Sequence, residues 1–103
     1  MKKIKVIVKY PYRKPIETFV STDGLVIKKY FIKTFDSFLV ASGLSVLTRR
    51  CAAALGYPRN ANICGVDFYG TIIFAGRDGD KLTDVPFDLN KFKILFPDLF
   101  LEE

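Results

Sequence analysis

The chain has 103 residues, half of them hydrophobic and 15% aromatic, with 16 Lys/Arg against 11 Asp/Glu and no histidine. One core suits that length, and so much apolar surface excludes a disordered chain, so a single globular domain over residues 1–103 is expected. The apolar runs fall far short of the roughly 18–20 residues of a membrane helix, and the basic start Met1-Lys2-Lys3 leads into alternating residues rather than the apolar stretch of a signal peptide, so a cytoplasmic protein is expected.

Ile4, Val6 and Val8 alternate with Lys3, Lys5 and Ile7, the period of a half-buried strand with one lysine-rich face, and Tyr10 extends it. Pro11 and Pro15 bracket a turn of Tyr12, Arg13 and Lys14, and residues 16–20 then form a second strand that completes a hairpin. Ser21-Thr22-Asp23-Gly24 is a break in which Thr22 or Asp23 is able to cap a helix. Residues 25–33 fit helix and strand equally: Ile27, Tyr30 and Phe31 share a helix face, yet the β-branched and aromatic content suits a strand. A strand is expected over residues 34–41, ended by Ser42-Gly43. The clearest helical spacing follows. With Ser45 as N-cap, Leu44, Leu47, Cys51, Ala54 and Leu55 fall at helical intervals, Gly56 and Pro58 stop the helix, and Arg49 and Arg50 face solvent. Residues 66–75 read as one central strand. Asp78-Gly79 is a hairpin turn into a partner strand at residues 81–85, which Pro86 ends. Asp88 caps a short helix in which Leu89, Phe92, Leu95 and Phe96 recur three or four apart, closed by Pro97. The fold class expected is α+β: a mainly antiparallel sheet of about four to six strands with one or two short helices packed on it.

Charge is divided along the chain. Residues 1–59 hold twelve Lys/Arg against three acids, whereas residues 60–103 hold four against eight. A basic half suits a polyanion or an acidic protein surface. Its cations fall into three groups: Lys2, Lys3, Lys5 and Lys9 with Arg13-Lys14; Lys28, Lys29 and Lys33; and Arg49, Arg50 and Arg59. The surface expected to bind a protein partner is Arg13, Lys14, Arg49, Arg50 and Arg59. The alternative is nucleic-acid binding by Lys5, Lys9, Tyr10 and Tyr12, because aromatic side chains interleaved with lysines on a sheet are able to stack bases. Against both stands the plain reading of solvated lysines that keep an apolar protein in solution.

No residue set announces chemistry. Without histidine a general base must be Asp, Glu, Lys, Tyr or Cys, and an enzyme would have to work through Asp67 or Cys64. Asp67, Asp78, Asp80, Asp84 and Asp88 lie close in sequence, but Asp78-Gly79-Asp80 lacks the spacing of a calcium loop and is explained by a hairpin turn. Cys51 and Cys64 cannot supply a four-ligand zinc site and read as small buried hydrophobes. No catalytic residue, metal or cofactor is therefore expected. Phe92, Phe96 and Phe100 are expected in the core rather than in an exposed patch.

The string Gly65-Val66-Asp67-Phe68-Tyr69-Gly70-Thr71-Ile72-Ile73-Phe74-Ala75, continuing through Asp78-Gly79 to Leu82-Thr83-Asp84-Val85-Pro86, resembles a family of small proteins of unknown function carried by phages, plasmids and integrative elements of Firmicutes. The similarity runs from Asn60 to Pro86, and the opening Ile4-Lys5-Val6-Ile7-Val8 also fits. The middle departs from the pattern: the family's Gly-Gly-Tyr-Ile strand has no counterpart in residues 25–41. The resemblance implies a mobile-element protein without chemistry that acts by occlusion, as an anti-CRISPR or other anti-defence inhibitor of a host protein or nucleoprotein does. The net charge of +5 speaks against mimicry of DNA by the whole molecule.

Overall fold

The computed structural model describes residues 3–21, 30–33, 43–49, 52–63, 65–78 and 81–100, with the backbone alone at residues 30–33 and 49. These hold eight strands, one helix and a 3-10 turn: β1 (Lys3–Lys9), β2 (Ile16–Ser21), β3 (Tyr30–Lys33), β4 (Leu44–Arg49), β5 (Arg59–Ile63), β6 (Val66–Tyr69), β7 (Ile72–Asp78), β8 (Lys81–Thr83), α1 (Leu89–Leu95) and the turn Pro97–Phe100. The class is α+β, and every pairing is antiparallel. The main sheet runs β2-β1-β7-β4-β3, with β8 also on β7, and β5-β6 form a separate two-stranded sheet. A radius of gyration of 12.8 Å matches the ~13 Å of a globule of about 100 residues.

The N-terminal hairpin forms as its alternation predicts, in continuous register from Lys3↔Ser21 to Val8↔Ile16. The lysine-rich face of β1 is open only at its start, however, where Lys3 is exposed and Lys5 half-buried. β1 is an inner strand, Ile7 on that face is fully buried, and only 6% of Lys9 is exposed. Alternate residues of β1 feed two cores. Ile7 joins Val46, Ile72, Phe74 and Phe92, under α1 and the β5-β6 hairpin, while Ile4, Val6 and Val8 join Leu47, Ile73 and Ala75 on the other face.

That double burial explains the largest correction. Residues 44–49 are strand β4, not the start of a helix, and Ser45 is a buried strand residue rather than an N-cap. A strand with both faces covered is apolar without alternation, so Leu44 and Leu47 mimic helical spacing although they point into different cores. The stop signal was sound. Gly56, at φ +84°, donates to the Ala53 carbonyl, and Tyr57 donates to that of Ala52. This is the paired C-terminal closure of a helical turn.

Residues 66–75 are likewise two strands rather than one. Gly70, at φ +72°, turns the chain out of β6 and into β7, where Ile72 to Gly76 are buried at the centre of the main sheet. Asp78 ends β7 paired with Lys81, so the two connecting residues are Gly79 and Asp80, one position later than an Asp78-Gly79 turn, and β8 ends at Thr83 rather than Val85. There the chain bends back over β7: a Cβ at Gly76 would collide with the Asp84 carbonyl, so only glycine fits. Asp88 caps α1 as expected, its carboxylate accepting the Lys91 N–H at 2.9 Å. Phe92 is the hub of the aromatic core, with ring centroids 4.7 Å from Phe74, 5.0 Å from Phe96 and 6.1 Å from Phe100. The expected strand at residues 34–41, the cap at Thr22 or Asp23, and residues 25–29 lie outside the described residues.

Candidate binding surface

Antiparallel register decides which loops share an end of the sheet. Lys9 pairs with Ile72 and Ile72 with Thr48, so the last residues of β1 and β4 and the first of β7 form one row. The β1-β2 turn leaves from this end. So does β5, because Asn60 is anchored there: its side-chain amide donates to the carbonyls of Lys9 and Gly70, both at 2.7 Å. Asn60 is buried, and its Oδ1 has no partner. A flipped amide would set that oxygen against two carbonyls, so the hydrogen-bond pattern fixes the orientation. The loop before β5 joins the same end through Gly70, which donates to the Pro58 carbonyl at 2.9 Å.

Topology thus brings Arg13, Lys14 and Arg59 to one end of the molecule, together with the backbone of Arg49. The side chain of Arg49 and all of Arg50 lie outside the described residues. Arg13 and Lys14 are exposed on the turn. Arg59 is exposed but held: its Nη2 and Nε donate to Asp67 Oδ1 at 3.0 and 3.3 Å, and Asn62 Nδ2 donates to the same oxygen at 2.9 Å. Asp67 is pulled below the usual carboxylate range, first by the Asn62 hydrogen bond and then by Arg59. This carboxylate aims an arginine.

The turn itself is strained. Arg13 N–H donates to the Tyr10 carbonyl at 3.3 Å, which puts Pro11 and Tyr12 at the two central positions. Tyr12 sits at φ +64°, where a turn with proline first normally places glycine or asparagine. Its side chain is 70% exposed, so no packing rewards that backbone. Tyr10 and Tyr57 are also exposed nearby, as are Leu55 and Ile16. Five of the seven exposed large hydrophobics among the described residues therefore belong to this end, and tyrosine with arginine is the composition that dominates protein-binding surfaces. Tyr57, Leu55 and Ile16 were not singled out from the sequence. Only the placement of the loops on the sheet reveals them.

The residues expected to touch nucleic acid divide. Tyr10 and Tyr12 are exposed, but Lys9 is buried with its ammonium donating to the Tyr10 carbonyl at 3.2 Å, and Lys5 lies 3.7 Å from Glu17. Among the described residues there is no cluster of three metal-binding side chains, and no helix is long and apolar enough to cross a membrane. Cys64 lies outside the described residues. No family model, no curated protein and no solved structure matches the chain.

Proposed function

We propose that this chain is a non-enzymatic binding protein whose working surface is the sheet end formed by Tyr10, Tyr12, Arg13, Lys14, Tyr57 and Arg59. The observation that carries the reading is Tyr12. A non-glycine residue at positive φ costs on the order of 1 kcal/mol, and here the cost holds an aromatic ring in solvent beside two cations. Exposed rings, an arginine pre-aimed by Asp67 and a rigid sheet beneath them suit a protein partner with an acidic rim. The resemblance carried by residues 65–86 adds the setting. The partner is a host defence protein or nucleoprotein, and the chain acts on it by occlusion, in the manner of an anti-CRISPR inhibitor.

Retention from nuclease-treated lysate of a Firmicutes host tests this. The wild-type chain, immobilised, should retain a discrete partner in stoichiometric amount, and the variant R13E/K14E with Tyr12→Ala should retain at least about tenfold less. A partner held equally by both would remove the function from this end of the sheet. Retention abolished by nuclease would instead make the tyrosines a base-stacking platform, with a steep dependence on salt.

A further inference from the structure

Three side chains come together where the β5-β6 hairpin leaves the main sheet. Arg59 and Tyr69 pair directly across the hairpin, so both stand on its outer face with Asn62 and Asp67, while Ala61, Ile63 and Phe68 fill the core beneath. Tyr57 reaches the same turn from the loop before β5. A Cβ on Gly70 would lie 3.5 Å from the Cβ and Cγ of Tyr57, and Gly70 N–H donates to the Pro58 carbonyl at 2.9 Å. Tyr57 is 37% exposed and Tyr69 is half-buried, so the start of β5 sets a guanidinium among two rings that solvent reaches.

That guanidinium is held by one edge. Its Nε and Nη2 both donate to Asp67 Oδ1, which Asn62 Nδ2 also reaches, and Asn62 is itself fixed by accepting Gly65 N–H. The Arg59 side chain is still 52% exposed, so the Nη1–Nη2 edge is the one offered to a ligand. It presents two parallel N–H donors in one plane. Asp67 makes that edge a matter of direction more than of charge. An anion bound there would lie well inside the ~8 Å screening length of the Asp67 carboxylate, which offsets much of the pull of Arg59. A neutral group with two coplanar acceptors suffers no such repulsion. No protein side chain offers that pair, because the amide of Asn or Gln sets a donor beside its oxygen. Among the nucleic-acid bases guanine does, with O6 beside N7, whereas adenine places an N6 donor where O6 would be.

We propose that Tyr57, Arg59 and Tyr69 form a base site for guanine in a single strand, with Arg59 donating to O6 and N7 and a tyrosine ring stacked on the purine. This rests on the reading of this end as the working surface, and it narrows the partner to a nucleoprotein met at its exposed strand. A single strand is required because a base must leave its own stack to lie on a side-chain ring. Arg13 and Lys14, exposed on the β1-β2 turn at the same end, suit the flanking phosphates. Asp67 is the positioning residue: it gives up general attraction for a strand in return for a fixed fork that discriminates between bases.

The probes are fluorescein-labelled uridine decamers with one central guanosine, adenosine or 7-deazaguanosine, read by anisotropy against the full chain over a range of salt. The guanosine decamer should bind about tenfold more tightly than the adenosine decamer, and most of that preference should go with 7-deazaguanosine, which lacks the N7 acceptor. Arg59→Lys should erase the preference and keep the affinity for the adenosine decamer, because an ammonium has no planar fork. Asp67→Ala should lower the preference yet raise the affinity for every decamer and steepen its salt dependence, since a freed Arg59 adds a charge for phosphate. Were Asp67 only a structural tie, preference and affinity would fall together, and its positioning role would be overturned. Equal binding of the three decamers by the wild-type chain, binding of none, or a preference that survives Arg59→Lys overturns the base site, and the first two need no variant to fold. The lysate experiment fails separately: a partner retained there through Tyr12 and Arg13 by a chain without guanosine preference removes the base site alone.

Discussion

At the scale of single residues, the two that organise the binding end are those whose environment is least comfortable. Tyr12 occupies a backbone conformation suited to glycine, and Asn60 is buried with one polar atom unpaired. Asn60 satisfies two carbonyls that would otherwise be stranded where β1 ends and β7 begins, so its orphaned oxygen is the lesser cost. Nothing in Pro58-Arg59-Asn60-Ala61 announces such a rivet. The register shift between Arg59 and Ala61 turns Asn60 and Ala61 inward together, against simple alternation. Tyr12 yields a prediction that separates stability from function. Tyr12→Gly removes the backbone strain, so the midpoint of urea unfolding should rise, by about 0.5–1 kcal/mol in stability. The same variant should lose partner retention, because the ring is gone. A variant no more stable than wild type would mean that the turn holds Tyr12 without cost, and the argument for its function would fall with it.

Individual elements were legible where a local signal was self-sufficient. The first hairpin and the capped helix α1 each carry their own punctuation in proline or aspartate, and the short β7-β8 connection is announced by Asp78-Gly79-Asp80 to within one residue. β4 and the β6-β7 boundary were not legible. Their residues are apolar for reasons of tertiary position, between two cores or at a crossing from one sheet to another, and no local rule encodes that. The β5-β6 hairpin shows the same limit. It is tied by polar contacts: Asn62 Oδ1 accepts Gly65 N–H at 3.1 Å, while Asp67 gathers Asn62 and Arg59. Because the Asp67 carboxyl titrates below its ordinary value in the folded chain, its contribution is fully present above the usual carboxylate range and is lost as pH falls through the lowered pKa. Strong acid should therefore speed amide exchange at Asn62, Gly65 and Asp67 beyond the intrinsic pH effect. Asp67→Asn should already exchange fast at neutral pH and show little further acid response. If the variant keeps the wild-type acid response, the carboxylate is not what ties the hairpin.

Across the whole molecule, the two halves of the charge pattern are joined at named points. Of the acids in residues 60–103, Asp67 holds the guanidinium of Arg59 and Asp84 accepts the backbone N–H of Lys5, so both rest against the basic half. What distinguishes the two ends of the sheet is the collection of exposed tyrosines and arginines at one of them, on a scaffold whose rigidity depends on a distant core. Phe92 is the keystone of that core. α1 has only seven residues, too few to persist alone, and is held by the Asp88 cap, the Glu17 contact and burial of Phe92 against Phe74. Phe92→Ala should cost about 3–5 kcal/mol. That is a large share of the ~5–15 kcal/mol typical of a domain. Three of the five tyrosines provide a probe remote from that site: with Tyr30 and Tyr69 replaced by Phe, emission from Tyr10, Tyr12 and Tyr57 reports on the far loops while far-UV circular dichroism reports on the whole sheet. In one cooperative unit the two signals of Phe92→Ala should melt together, at a midpoint well below wild type. Should tyrosine emission keep its wild-type midpoint while the dichroism shifts, the binding end would not depend on the Phe92 core, and its preorganisation would have to come from the hairpin and Asn60 alone.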